Sequence, residues 1–260
     1  MILNAIRFVT SPGSLALAML LGLTGCSTSR THSQQDVQKP ASAPTTPTVA
    51  TPASPAPPPS KQGTPPTVKP SGPRISLFDG TSLKNWKSSG YAGEGEIVVE
   101  KDLNGQGPAL VLGEGVMTGI TFTNSFPKDR YELSLEAMRV QGGDFFCGLT
   151  FPVGEDPCSL IVGGWGGGVV GLSSVDGEDA AHNETTRYMK FDAGRWYRVR
   201  LRVANPIIEA WIDDEQVVKL DRTDRLISIR IEMESSKPLG LATWATRGAV
   251  RNIQLVHLKP

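Results

Sequence analysis

Excess charge is missing from this chain: 26 Lys and Arg balance 26 Asp and Glu, for a formal net charge of zero. No long basic run appears either, and that excludes nucleic acid as a partner class, because phosphate binding needs clustered cations. No apolar run reaches the roughly 20 residues that a membrane-spanning helix requires. Cysteine is scarce, at positions 26, 147 and 158, and so is histidine, at 32, 182 and 257. Large apolar side chains are almost absent from residues 27 to 73, so this stretch cannot bury enough surface to offset its ordering entropy. No segment beyond it shows a long amphipathic helical stripe with caps.

The N-terminus reads as an export signal. Arg7 supplies a basic flank and Ser14–Leu23 an apolar run of signal-peptide length. Leu23-Thr24-Gly25-Cys26 then resembles the lipobox of bacterial lipoproteins. That resemblance implies cleavage before Cys26, lipid on its thiol and amine, and a domain held at the cell envelope outside the cytoplasm. Ser27, in place of Asp, fits the pattern that sorts to the outer membrane. A plain signal peptide followed by an incidental cysteine is the alternative. Residues 1–25 are thus the expected signal, and 26–73 the lipidated cysteine with a Pro/Thr/Ser/Ala-rich linker. Polyproline II at roughly 3.1 Å per residue gives such a linker a reach on the order of 100 Å. A ligand role for a Pro-binding partner or the cell wall is the other reading.

Residues 74–260 suffice for one domain, expected to be monomeric, and their pattern is all-β. Tyr197, Val199, Leu201 and Val203 alternate with Arg198, Arg200 and Arg202. Ile207–Asp213, Tyr131–Ala137 and Arg225–Glu234 alternate in the same way. Turn signals separate these segments at Asp79-Gly80, Asn104-Gly105, Asp176-Gly177, Asp213-Asp214 and Lys237-Pro238. The spacing predicts a sandwich or jelly roll. If Ala204 pairs with Ile207, Arg202 lies opposite Glu209, Arg200 opposite Trp211, and Arg198 opposite Asp213. Arg200 and Trp211 then form either part of a solvated outer face or the floor of a sugar groove.

Several residues carry candidate chemistry. The glycine-rich run Gly163–Gly171 contains Trp165, and glycines inside strands mark bulges or close approach. It is either a sugar-binding floor with Trp165 stacking or a tightly packed core. No Lys-Ser/Thr follows it, so it is not a phosphate loop. His182 and Glu184 lie on a polar insertion, where a histidine suits acid–base work near neutrality. Asp144 follows two glycines and either reaches a site or caps a turn. Asp176-Gly177-Glu178-Asp179 is acidic enough for a divalent metal but lacks the spacing of a dedicated calcium loop, which leaves a metal open. An exported location permits a Cys147–Cys158 disulfide. A tight hairpin pairing Phe151 with Cys158 instead puts Cys147 opposite Val162, out of bridging reach.

Five segments together resemble one family: LFDGTSLKNW (Leu77–Trp86), GRWYRVRLRV (Gly194–Val203), IEAWIDDEQV (Ile208–Val217), PLGLATW (Pro238–Trp244) and VRNIQL (Val250–Leu255). Their order and spacing are similar to those of the 3-keto-disaccharide hydrolases. The resemblance implies a concanavalin/laminin G-like jelly roll acting on a saccharide. It also implies cleavage of glycosides oxidised at C3. A C3 ketone acidifies the C2 proton; a base removes it, an enediolate forms, the C1 glycosidic oxygen leaves, and water adds back. Such a site needs a base near C2, an electrophile or metal at the C3 oxygen, and an acid at the leaving oxygen. The segments that carry the resemblance are scaffold segments, so no catalytic residue comes over with them. From the residues themselves the candidates are His182, Glu184 and Asp144 for catalysis, and Trp165, Arg200 and Trp211 for ligand binding. A non-catalytic sugar-binding surface protein is the alternative function, and an envelope scaffold a third.

Overall fold

Fifteen strands run through the computed structural model, which describes residues 72–259. The expected signal, Cys26 and the linker up to residue 71 lie outside the described residues. In chain order the strands are β1 (Ile75–Ser76), β2 (Trp86–Ser88), β3 (Ile97–Glu100), β4 (Ala109–Leu112), β5 (Met117–Phe122), β6 (Tyr131–Gly142), β7 (Cys147–Val153) and β8 (Asp156–Gly164). They continue as β9 (Val169–Ser173), β10 (Arg187–Tyr188), β11 (Trp196–Ala204), β12 (Ile207–Ile212), β13 (Glu215–Asp221), β14 (Gly240–Trp244) and β15 (Thr246–His257).

Two antiparallel sheets result. The first is ordered β13-β12-β11-β6-β15-β4-β3, with β1 against β15; the second is β10-β9-β8-β7-β14-β5-β2. This is an all-β, two-sheet sandwich of the jelly-roll type. The inner faces meet in one apolar cluster that includes Leu133, Leu149, Phe151, Leu160, Leu201 and Ile253. These residues face inward because they sit every second position along their strands.

The opening LFDG…W segment closes on itself. Trp86 is buried and donates Nε1–H to the Leu77 carbonyl at 2.8 Å. Asp79 accepts from the Thr81 and Ser82 amides at 2.7 and 2.8 Å and from the Ser82 hydroxyl at 2.8 Å. The Thr81 amide bond, followed by those from Ser82, holds the Asp79 carboxyl well below the usual carboxylate range. The motif is therefore a loop closure, which is why it signals fold rather than chemistry.

The β11–β12 hairpin has the expected register, with Arg202 opposite Glu209 and Arg200 opposite Trp211. The Arg225–Glu234 segment does not form the expected strand. Its alternation serves no ladder: only Ile227 makes a bridge, to Val175, while Leu226 and Ile231 are 64% and 82% exposed. β9 has already ended at Ser173, so pairing continues only through Ser174 with Ser228 and the Asp176 amide with the Leu226 carbonyl before the chain closes into 3-10 turns at Ile231–Ser236. Alternation reports which side chains could share a face. It does not supply a partner edge.

Cys147 faces Val162 and Cys158 faces Phe151 across the β7–β8 hairpin, and both thiols are free. Burial pushes each up to about 12. A thiol, not a thiolate, is therefore present at neutral pH, and alkylation needs the thiolate. Peptide mapping after iodoacetamide at pH 8 should find both Cys147 and Cys158 unmodified in the native protein and fully modified in denaturant. Labelling of either one in the native state would contradict the packing.

Candidate active site

The outer face of the second sheet carries unusually small side chains. One cross-strand row runs Gly119–Ala242–Gly148–Ile161–Gly171, and the next runs Thr121–Gly240–Thr150–Ser159–Ser173. Small residues let covering groups approach the strands. A Cβ on Gly171 would lie 2.8 Å from the Ala180 carbonyl. Over this floor sits a second apolar cluster, with Met117, Phe145, Ile161, Met233 and Ala242. The Ile231–Ser236 turns are tied down by two contacts. Thr121 donates to the Ser235 carbonyl at 2.7 Å, and the Tyr91 and Ser236 hydroxyls lie 2.6 Å apart.

Arg139 organises one wall. It is 7% exposed and sits on the core phase of β6, in step with Leu133, Leu135 and Ala137. Its Nη2 lies at bonding distance from the carbonyls of Gly167 (2.9 Å), Asp144 (3.2 Å) and Gly163 (3.3 Å), and its Nη1 donates to Phe191 O at 3.3 Å. Gly163 is at φ 78°, and a Cβ there would stand 2.6 Å from Arg139 Nη2, so the position admits only glycine. Asp144 completes the turn. Its carboxylate accepts from the Phe145, Trp165 and Gly166 amides at 2.7, 3.1 and 3.2 Å. Trp165 is thereby held at φ 48°, rare for a bulky side chain, and is 42% exposed.

The opposite wall is an ionic chain. Arg230 Nη2 donates to Glu232 Oε1 at 2.8 Å, and Nη1 donates to Asp179 Oδ2 at 3.0 Å. Asp179 Oδ1 in turn lies 2.7 Å from His182 Nδ1. The hydrogen bond from Arg230 draws Glu232 below the ordinary carboxylate range, and the same bond raises Arg230. Between the walls is a cavity of about 270 Å³. Its apolar lining is Met117, Phe145, Ile161, Trp165, Met233 and Trp244; its polar lining is Asp144, Ser173, Arg230 and Glu232. An apolar pocket with a few convergent polar groups is the usual form of a small-molecule site.

The structure thus brings Asp144 and Trp165 to one cavity. His182 stands outside its lining, joined to it through Asp179 and Arg230. Glu184 does not line it: its carboxylate is paired with Arg225, which also holds Asp176 at 2.6 Å. Arg200 and Trp211 lie on the outer face of the other sheet. There the Arg200 guanidinium covers the Trp211 ring at 3.8 Å, and Arg202 is bonded to Glu132 at 2.8 Å. That Trp face is already occupied by a cation. Among the described residues, no group of three or more His, Cys, Asp and Glu is gathered as a metal would require.

Sequence reasoning passed over Arg139, Ser173, Arg230, Glu232 and Trp244. For Arg139 a signal existed: an arginine on the apolar phase of a strand must find buried acceptors. Arg230 and Glu232 gave none, because only the fold carries their segment across the sheet.

The model of the 3-keto-alpha-glucoside-1,2-lyase-like domain matches residues 73–256. The chain belongs to that family. The match makes the domain a carbohydrate-processing enzyme domain of the 3-keto-disaccharide hydrolase type. No curated protein sequence matches the chain. Among solved structures, the apo Crh5 transglycosylase is 12% identical over 73% of this chain and 85% of its own, with a TM-score of 0.49. The carbohydrate-binding module CBM66 from Bacillus subtilis is 14% identical over 66% of this chain and 95% of its own, at 0.41. Domain 4 of AbnA, an arabinanase from Geobacillus stearothermophilus in complex with arabinotriose, is 14% identical over 66% and 82%, at 0.44. At these identities and scores none of them transfers a residue role to this family member.

The strained exposed tryptophan leads to an expectation. Trp165→Asn relieves a bulky side chain of its left-handed backbone while keeping the turn. It should leave the melting temperature unchanged or higher and abolish saccharide binding measured by calorimetry. Unaltered binding would remove Trp165 from the site.

Proposed function

We propose that the cavity beneath Trp165 and the Ile231–Ser236 turns cleaves 3-keto-glycosides by elimination followed by hydration. The observation that carries this reading is the Arg230–Glu232 pair, which places a cation and a carboxylate together beside an aromatic wall. The sugar lies against Trp165 and Trp244, whose rings suit the CH face of a pyranose. Arg230 donates to the C3 ketone oxygen. Once that oxygen takes over the guanidinium N–H, Glu232 loses its partner and becomes a stronger base. Glu232 removes the C2 proton and the electron pair passes into the enediolate that Arg230 stabilises; as the C3 ketone re-forms and C1=C2 closes, the C1–O bond breaks, and the aglycone leaves with the proton Glu232 took from C2, which returns Glu232 to its carboxylate. Water then adds across the unsaturated sugar, so the sum is hydrolysis.

The remaining residues act indirectly. Asp179, braced by His182, holds the far side of Arg230. Asp144 has three amides on its carboxylate and serves to hold Trp165 rather than to move protons. Arg230 supplies the electrophile that a divalent metal would otherwise provide. In this reading the jelly roll is concanavalin/laminin G-like. The domain works at the bacterial cell envelope, favouring the outer membrane, held by lipid on Cys26 through a Pro-rich tether.

The purified full chain should release aglycone from 3-keto-glucosides, assayed with and without added divalent metal. Glu232→Gln should lower kcat by about 10²- to 10⁴-fold. Asp144→Ala should mainly raise KM, and Glu184→Ala should leave both within about twofold. A base must be ionised, so kcat/KM should be full above the Glu232 pKa and fall as pH drops through it. Because Arg230 holds that pKa down, the acid limb should lie below the ordinary carboxylate range, and Arg230→Gln should move it upward. A limb that Arg230→Gln leaves in place assigns the base elsewhere. Saccharide binding without any release makes the domain a non-catalytic carbohydrate-binding surface protein.

A further inference from the structure

Four of the five residues in the row Thr121–Gly240–Thr150–Ser159–Ser173 carry hydroxyls, and all four are buried. Three of these hydroxyls are satisfied. Thr121 Oγ1 donates to Ser235 O and lies 2.8 Å from Ser89 Oγ, while Thr150 and Ser159 share a bond of 2.9 Å. Ser173 Oγ is the exception. It is 1% exposed, has no hydrogen-bond partner, and lines the cavity. A buried hydroxyl without a partner is uncommon, because it has given up water and gained nothing in return. Thr243 Oγ1 is likewise buried without a partner but does not line the cavity, whereas Ser173 does, so a ligand bound there can supply what Ser173 lacks.

Position narrows what that partner is. Ser173 ends β9, and the next residue, Ser174, exchanges two backbone hydrogen bonds with Ser228, at 2.6 and 3.1 Å. Ser228 is two residues from Arg230, so Ser173 lies under the strand of chain that delivers Arg230. In the reading proposed above, on which this inference rests, Arg230 takes the C3 oxygen and Glu232 faces C2. The remaining ring neighbour of C3 is C4.

We propose that Ser173 is a specificity-determining residue, its hydroxyl bonded to the 4-hydroxyl of the bound 3-keto sugar. Sugars whose 4-hydroxyl is absent or inverted cannot make this bond and leave Ser173 unpaired.

The test measures kcat/KM of the full chain and of Ser173→Ala on a 3-keto-glucoside and on its 4-deoxy and 6-deoxy analogues. One neutral hydrogen bond predicts about a tenfold loss for the 4-deoxy substrate with the unaltered protein. Ser173→Ala should lose about tenfold on the parent substrate and nothing further on the 4-deoxy analogue. Its 6-deoxy penalty should equal that of the unaltered protein. If Ser173→Ala lowers parent and 4-deoxy turnover equally, or lowers neither because the hydroxyl is satisfied by water only, the proposal is overturned. Should Ser173→Ala fail to fold, equal turnover of parent and 4-deoxy substrate by the unaltered protein overturns it and a tenfold difference supports it. If the unaltered protein turns over no 3-keto-glucoside, the proposed reaction fails separately. Calorimetric binding of methyl glucoside and its 4-deoxy analogue to both proteins then decides the Ser173 contact by the same pattern.

Discussion

Moving a guanidinium into a sandwich core costs several kcal/mol unless its donors find acceptors. Arg139 meets that condition at both terminal nitrogens with backbone carbonyls rather than a carboxylate, its Nε alone being left without a partner, and the site depends on the solution it reaches. Three of the four carbonyls it gathers belong to loops and the fourth, Gly163, to the end of β8, so one side chain sets the relative positions of the Asp144 turn, the Gly163–Gly167 turn and the Phe191 segment. Gly163 has no Cβ because the guanidinium takes that volume. The ring of Phe146 lies under the same cation, 5.1 Å from its centre, which links the turn to the Phe146–Phe191–Tyr197 cluster behind it. A rigid wall for Trp165 follows from these contacts.

The two outer faces of the sandwich are put to different uses. On the first sheet, arginines and glutamates on facing strands neutralise one another, Arg202 with Glu132 and Arg251 with Glu136, and Arg200 covers the ring of Trp211. Such a lattice leaves few unpaired donors or bare aromatic faces. On the second sheet the two outward rows are glycine, alanine, serine and threonine except for Ile161. That surface cannot bury itself by its own side chains. It is covered instead by chain from elsewhere, the Ile231–Ser236 turns and the Ala180 loop, and the cavity is the part of the face left between them. The cavity arises where the floor is too small-sided for the cover to close fully.

Much of the scaffold was legible residue by residue. Val199, Leu201 and Val203 alternate with arginines because one side of β11 is core, and the same alternation set the β11–β12 register. The β7–β8 hairpin kept its two cysteines out of register, as tight pairing requires. The candidate site was legible only in part. Asp144 and Trp165 stood out through the glycines around them. Glu184 stood out as a loop carboxylate, yet it is taken by Arg225, a residue 41 positions away in sequence that no local pattern connects to it.

By itself the sequence determined the all-β class, the faces of the long strands and the register of the β11–β12 hairpin. These follow from periodicity and local turn chemistry, which act over a few residues. Only the tertiary structure decided that Arg225–Glu234 is a cover rather than a strand. It also decided that Arg230 and Glu232 stand opposite Trp165 and that Ser173 is left without a partner. Those outcomes depend on which distant segments share space and which donors are already taken, and competition for partners across a folded chain is not written in local pattern.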